Sequence, residues 1–183
     1  KVISENLDFG VAFDGDADRS VFIDDKGNLI SGSLMTCLIS DWLFEKKSEI
    51  KIVHNVNVQP SVVKYLNNKG IKTIRSKVGH SYIKKIMRDE DADFGGEHSA
   101  HFYLRENFYA DSGILTLLIF LKILSEKNVK SSELVENYDF FPSSGEINYM
   151  VDDVEISLKK IENSFGGQFD KLDGISYLSL IHI

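Results

Sequence analysis

Short apolar runs alternate with helix-length segments through the middle of the chain. The runs have the length of buried strands, and the longer segments place apolar residues three or four positions apart, as helices with one apolar face do. Strands that alternate with helices predict a mostly parallel sheet covered by helices on both faces. The predicted strands are 50–54, 71–74 and 93–95, and the predicted helices are 33–46, 60–69, 80–88, 112–127 and 131–137.

The pattern differs at the two ends of the chain. Before the first helix, a strand at 11–13 is followed by a hairpin whose turn contains Gly27. After Pro142 the alternation of strands and long helices stops. Strand-like, helix-like and strand-like segments then follow one another at 145–151, 154–164 and 169–177.

These patterns predict an α/β protein in three parts. Residues 32–140 should form a complete three-layer α/β/α domain around a mixed, mostly parallel sheet. Residues 1–31 should be the end of a preceding α/β domain, and residues 141–183 the truncated start of an α+β domain. The chain begins with Lys and ends without a polar tail, so we expect a fragment of a longer protein whose last few residues are not native sequence.

Composition and charge narrow the class of protein. Hydrophobic residues make up 43% of the 183 residues, which is typical of a globular protein. The net charge of -7 argues against nucleic acids and anionic membranes as partners, because both bind basic surfaces. The apolar run at 114–124 is too short to span a bilayer, and Cys37 alone cannot form an internal disulfide. We expect a cytoplasmic protein of unknown oligomeric state.

Three acidic residues alternate with small ones after the first strand. Asp14, Asp16 and Asp18 lie in the segment Asp-Gly-Asp-Ala-Asp-Arg, here called the aspartate loop (residues 14–19). Their carboxylates would repel one another in a solvated acidic turn, whereas a hard cation such as Mg²⁺ would bind them. A calcium EF-hand is excluded by spacing, because its sixth position should be Gly and is Arg19, and its twelfth should be Glu and is Asp25. Arg19 suits a phosphate beside the metal.

A second polar segment, Gly-Gly-Glu-His-Ser-Ala-His, here called the Gly-Glu segment (residues 95–101), follows a predicted strand. In an extended loop Glu97 and Ser99 would face the same way, and a carboxylate with a hydroxyl could bind two neighbouring sugar hydroxyls. A surface turn is the default interpretation when this segment is taken alone.

Together the two segments resemble the metal loop and the sugar-specificity loop of the α-D-phosphohexomutases. The resemblance implies that Asp14, Asp16 and Asp18 bind Mg²⁺, and that Arg19 steadies the phosphoryl group. It further implies that Glu97 and Ser99 bind the 3- and 4-hydroxyls of a hexose phosphate. His101 is implied to lie near the transferring phosphoryl group as an acid/base or positioning residue.

The segment Val-Gly-His-Ser at 78–81 is similar to another family motif, which implies that His80 belongs to the site. Lys77, just before it, is a candidate phosphate contact, although a solvated charge at the end of a strand explains it equally well. Many members carry a lysine where this chain has Asn57. In the family this lysine helps the proton step. Either another residue takes that role here, with Lys77 as one candidate, or histidine alone performs it.

The resemblance implies a Mg²⁺-dependent phosphohexomutase, an isomerase that interconverts hexose 1- and 6-phosphates through a phosphoserine and a bisphosphate. We find neither the family's phosphoserine segment nor its final phosphate loop in these residues, so the fragment alone should be inactive. Phosphoglucosamine mutase is an alternative, although that branch more often has Gln where His98 stands. The other alternative is a non-catalytic module that binds a metal or a sugar phosphate.

Overall fold

The structure is a computed structural model that describes residues 1–136, 138, 144–145, 147–165 and 168–178. The chain divides into two units, Lys1–Phe140 and Phe141–Ile183. The predicted end of a helix at 137, the boundary near 140–142 and the doubtful segment 179–183 lie outside the described residues. The assignment of residues 1–31 to a separate domain stays a prediction.

The first unit opens with a short helix and an antiparallel three-stranded sheet in the order β1-β2-β3. The hairpin predicted around Gly27 joins β2 to β3, and Gly27 has a φ of 86°, which glycine adopts without strain. Phe13 pairs with Ser20, so the aspartate loop is the connection between two adjacent strands. These elements are α1 (Val2–Glu5), β1 (Phe9–Phe13), β2 (Ser20–Asp24) and β3 (Leu29–Ile30).

Helices and strands then alternate around a five-stranded sheet in the order β5-β4-β6-β7-β8. β4 is parallel to β5 and β6, whereas β7 and β8 are antiparallel, so the sheet is mixed as expected. The strands are β4 (Lys51–Asn55), β5 (Lys72–Ser76), β6 (Phe94–Gly96), β7 (Phe102–Leu104) and β8 (Ala110–Asp111), and the helices are α2 (Gly32–Lys46), α3 (Pro60–Asn68), α4 (His80–Glu90), α5 (Gly113–Lys127) and α6 (Ser131–Glu136). A 3₁₀ turn, Arg105–Asn107, lies between β7 and β8.

Apolar side chains from the sheet pack on both of its faces. Ile52 of β4 belongs to a large cluster with residues of α2, α3 and α5, whereas its neighbour Val53 packs with Ile83 and Met87 of α4. Successive residues of a strand point to opposite faces, so helices cover both sides. The three-layer α/β/α arrangement is therefore confirmed.

The expectation that the helix after β3 is amphipathic is wrong. In α2 polar Ser40 and Thr36 are as fully buried as Met35 and Ile39, because α2 packs against α3, α5, α6 and β6 together. The Thr36 hydroxyl donates to the backbone carbonyl of Gly32, and the Ser40 hydroxyl donates to that of Thr36, each one turn earlier. A helix surrounded by protein shows no single apolar face.

The second unit contains one helix and one hairpin among its described residues. The helix predicted at 154–164 is confirmed as α7 (Val154–Ser164), and β9 (Gln168–Asp170) pairs antiparallel with β10 (Ser176–Leu178). The strand predicted at 145–151 is wrong, since residues 144–145 and 147–151 have no regular structure. No strand in the described part of this unit pairs with them, and an isolated strand leaves its backbone groups without partners.

No helix in the described ranges combines the length and the apolar character needed to cross a membrane.

Asp25 joins the turn between β2 and β3 to α6. Its carboxylate accepts a hydrogen bond from the Ser132 backbone N–H (2.8 Å), which holds the pKa of Asp25 below its usual range. Asp25→Ala should lower the free energy of unfolding at pH 7 by about 1 kcal/mol, as loss of a helix cap does. A carboxylate with a lowered folded pKa stabilises the fold above its unfolded pKa, and this contribution is lost as the pH falls through the folded value. Denaturant titrations of variant and wild type should therefore converge at acid pH.

Asp25→Asn provides the matched control, because it keeps an acceptor oxygen and removes only the charge. A difference between Asp25→Ala and wild type that stays constant from pH 7 to pH 3 would contradict this role for the carboxylate.

Candidate functional site

The aspartate loop is shaped by its own backbone and by the start of α5. Ala17 has a left-handed φ of 59°, and its N–H donates to the carbonyl of Asp14 (3.3 Å). The N–H of Gly113 donates to the Ala17 carbonyl (3.1 Å), and a Cβ at Gly113 would lie 2.7 Å from the Arg19 carbonyl oxygen. Only glycine allows this approach, so the first turn of α5 fixes the loop.

Asp14, Asp16 and Asp18 each offer a carboxylate oxygen, and these oxygens lie within 4.8 Å of one another. Oδ1 of Asp18 is buried and has no hydrogen-bond partner among the described residues. Burial raises the pKa of Asp18, and the Asp16 and Asp14 carboxylates add to the rise while His101 opposes it. A carboxylate oxygen without a donor, beside two other carboxylates, fits a hard cation such as Mg²⁺.

Arg19 folds back on the first aspartate of the loop. Its Nε lies 2.6 Å from Asp14 Oδ2, and its backbone N–H donates to Asp14 Oδ1 (3.2 Å). The Arg19 hydrogen bond is the main reason that the pKa of Asp14 is lowered. Asp14 is therefore charged, as a metal ligand must be.

The Gly-Glu segment does not have the extended shape expected from the sequence. Residues 97–100 form a tight turn between the antiparallel strands β6 and β7, closed by the Ala100 N–H on the Glu97 carbonyl (3.1 Å). A turn points neighbouring side chains in different directions. Glu97 is 2% exposed and faces inward, whereas Ser99 is exposed, so the two do not face the same way.

Two buried donors hold the Glu97 carboxylate. Asn55 Nδ2, at the end of β4, donates to Oε2 (2.9 Å), and the Tyr103 hydroxyl, from β7, donates to Oε1. Burial raises the pKa of Tyr103, and its hydrogen bond to Glu97 raises it further, so the hydroxyl stays protonated. Asn55 and Tyr103 were not predicted from the sequence, in which nothing links them to Glu97.

The aspartate loop and the Gly-Glu segment meet at their backbones. Arg19 and His101 form an antiparallel bridge, and the Ser20 N–H donates to the Ala100 carbonyl (3.4 Å). His101 Nε2 lies 3.5 Å from Asp18 Oδ1, and its Nδ1 lies 3.8 Å from Glu97 Oε1. His101 therefore stands between the candidate metal ligands and the candidate sugar-binding carboxylate.

Asp111, which the sequence interpretation missed, joins this cluster. One of its carboxylate oxygens lies within 4.8 Å of ligand atoms of Asp18 and His101, and its Oδ1 pairs with Lys84 Nζ (2.7 Å). The only signal in the sequence is its place just before Ser112, which caps α5.

Lys77 and His80 lie elsewhere on the same edge of the sheet. Both are exposed, and the Lys77 ammonium lies 6.0 Å from the centre of the Tyr82 ring. They follow the carboxyl end of β5, as Glu97 follows that of β6, and β4 separates the two strands. The end of β5, which Lys77 and His80 follow, is therefore two strand spacings, about 10 Å, from the end of β6, which Glu97 follows. Within the described residues, no hydrogen bond or ion pair links Lys77 or His80 to the aspartate loop.

This fold and site define a class of protein, an α/β/α domain with polar side chains at the carboxyl ends of parallel strands, where such domains bind ligands. Within that class, the structure is similar to that of a phosphoglucomutase/phosphomannomutase family protein from Burkholderia thailandensis (TM-score 0.81, 23% identity, covering 95% of this chain and 38% of that one). It is also similar to N-acetylphosphoglucosamine mutase of Aspergillus fumigatus, solved with GlcNAc-6P and magnesium (TM-score 0.61, 16% identity, covering 72% of this chain and 33% of that one).

The chain belongs to the phosphoglucomutase/phosphomannomutase family, because residues 31–141 match its alpha/beta/alpha domain III. A phosphomannomutase from Methanocaldococcus jannaschii is 39% identical over 176 residues, which is 96% of this chain and 39% of that protein. The chain thus spans about two fifths of the length of this relative. The family predicted from the two loops is confirmed.

Proposed function

We propose that the full-length protein carrying this chain is a Mg²⁺-dependent phosphohexomutase that interconverts hexose 1-phosphate and hexose 6-phosphate. One observation carries the proposal: the backbones of the aspartate loop and the Gly-Glu segment meet, with His101 between Asp18 and Glu97. A phosphoryl group bound at the aspartates would lie next to the hexose that accepts it. Phosphoryl transfer depends mainly on such positioning and on charge stabilisation.

Asp14, Asp16 and Asp18 would hold the cation. Mg²⁺, when bound, acts as a Lewis acid on a phosphate oxygen. Arg19 pairs with Asp14 through its Nε (2.6 Å). The other N–H groups of the Arg19 guanidinium would donate to phosphoryl oxygens, which their planar arrangement suits. Arg19 would thereby steady the transferring group.

His101 and Glu97 would serve the sugar. His101 Nε2 would exchange a proton with the hydroxyl that gives or receives the phosphoryl group. Its Nδ1 lies 3.3 Å from the Ser99 hydroxyl. Glu97 and Ser99 would accept the 3- and 4-hydroxyls, although from different sides of the turn. Lys77 and His80, at the same edge of the sheet, would contact a phosphate away from the metal.

The test is a mutase assay of the full-length protein. Mannose 1-phosphate and glucose 1-phosphate are each supplied with Mg²⁺ and a hexose bisphosphate activator, and formation of the 6-phosphate is followed. We expect turnover that EDTA lowers by about 100-fold or more, since a metal ion contributes several kcal/mol to charge stabilisation. Residues 1–183 alone should show none, because they offer no candidate phosphoserine donor.

Binding of hexose phosphate without turnover in the full-length protein would contradict the proposal. A non-catalytic sugar-phosphate-binding module would then be the correct interpretation.

A further inference from the structure

We propose that Tyr103 and Asn55 are positioning residues, which hold the Glu97 carboxylate in the one orientation that binds the hexose hydroxyls. The inference rests on the proposed function and deepens it, because it assigns to two buried side chains a part in substrate affinity.

Three adjacent strands converge on the Glu97 carboxylate. Asn55 ends β4, Glu97 follows β6 and Tyr103 lies in β7, and the strands are neighbours in the order β4-β6-β7. All three residues are at most 2% exposed. The side chains are therefore fixed by the sheet rather than by a mobile loop.

Each of the two donors binds a different oxygen of the Glu97 carboxylate. Asn55 Nδ2 donates to Oε2 (2.9 Å) and the Tyr103 hydroxyl donates to Oε1. An ionised carboxylate offers about four lone-pair directions, so each oxygen keeps one for a further donor. Those remaining directions are set by the plane of the carboxylate, so a tilt of that plane turns them away from the sugar hydroxyl that Glu97 binds.

Tyr103 is itself held from several directions. Its ring packs with Ile83 and Met87 of α4, and the Lys84 ammonium lies 5.5 Å from the ring centre. The His101 ring stacks beside it, with 6.3 Å between centroids. The phenol therefore cannot move away from Glu97 without breaking its packing against α4. Because its hydroxyl donates to the carboxylate, the fixed ring also fixes the orientation of Glu97.

The experiment removes one hydroxyl from the full-length protein. Tyr103→Phe should raise the KM for hexose 1-phosphate by about tenfold, the cost of about one hydrogen bond to a charged group, and should change kcat less than threefold. The Kd for Mg²⁺ should stay within twofold of wild type. Tyr109→Phe is the matched control, because its hydroxyl donates to Asp91 (3.1 Å), away from Glu97, and its KM should not change.

A second arm asks whether Tyr103 acts through Glu97. In the Glu97→Gln background, Tyr103→Phe should raise KM by less than twofold further, since residues that act through one contact are not additive. Asn55→Ala removes the other donor and should raise KM by about fivefold or more. This variant tests the positioning of Glu97 even if Tyr103→Phe does not fold.

Equal KM values for Tyr103→Phe and Tyr109→Phe would overturn the inference and leave the proposed function standing. So would a full tenfold effect of Tyr103→Phe in the Glu97→Gln background. A wild-type protein without mutase activity would overturn both.

Discussion

Asp18→Asn in the full-length protein should lower mutase turnover by about 100-fold or more at any Mg²⁺ concentration, because a metal ion supplies several kcal/mol of charge stabilisation. Oδ1 of Asp18 is buried without a hydrogen-bond partner among the described residues, and it lies 3.5 Å from His101 Nε2. Arg19 Nε lies 3.9 Å from the same oxygen, beyond hydrogen-bond distance, so a cation can bind there. Isothermal titration with Mg²⁺ should show a parallel loss of affinity.

The same substitution should stabilise the metal-free protein. Burial and the neighbouring carboxylates raise the pKa of Asp18, and a carboxyl with a raised folded pKa destabilises the fold at pH 7. A neutral Asn removes that repulsion, so the melting temperature in EDTA should rise while activity falls. Asp8→Asn, an acidic residue before β1, is the control and should change neither. A lower melting temperature in EDTA together with unchanged Mg²⁺ affinity would show that Asp18 is structural.

Glu97→Gln should lower kcat/KM for hexose 1-phosphate by about 100-fold, which corresponds to about 2.7 kcal/mol, and leave Mg²⁺ affinity unchanged. The carboxylate accepts from both Asn55 and Tyr103, whereas glutamine has only one acceptor oxygen. One buried donor is then left without a partner, and the charge that would bind the sugar hydroxyls is lost.

Glu106→Gln is the matched control, because Glu106 pairs with Lys47 (3.0 Å) at the surface. Activity and Mg²⁺ binding should both stay within twofold of wild type in this variant. If Glu97→Gln weakened Mg²⁺ and hexose phosphate equally, the metal and sugar sites could not be separate.

Short contiguous segments were predictable from the sequence, whereas contacts between distant segments were not. The aspartates are two positions apart in one short loop, so the sequence alone indicates that their carboxylates can converge. The hairpin at Gly27 and the start of α5 after Ser112 have equally local causes, a turn glycine and a capping hydroxyl. Such features depend on few residues, so they can be predicted without knowledge of the tertiary contacts.

The surroundings of Glu97 show why the remainder could not be predicted. Its partners are 42 positions earlier and 6 positions later. β7 and β8 have three and two residues, too few for a periodic pattern, and without them neither Tyr103 nor Asp111 can be placed. The predicted extended loop was wrong for the same reason, because only the antiparallel pairing of β6 with β7 turns the chain at 97–100.

The junction of the two loops has a consequence for how substrate preference can diverge in this protein. The contact that joins them is made by backbone atoms, the Ser20 N–H on the Ala100 carbonyl, and the Gly-Glu segment is itself closed by the Glu97 N–H on the His101 carbonyl (3.0 Å). His98 and Ser99, between these anchor points, are exposed. Their side chains can be exchanged by mutation while the register of the two loops is kept. Evolution, or a saturation library at these two positions, can therefore explore new sugars while the aspartate loop keeps its position beside the Gly-Glu segment.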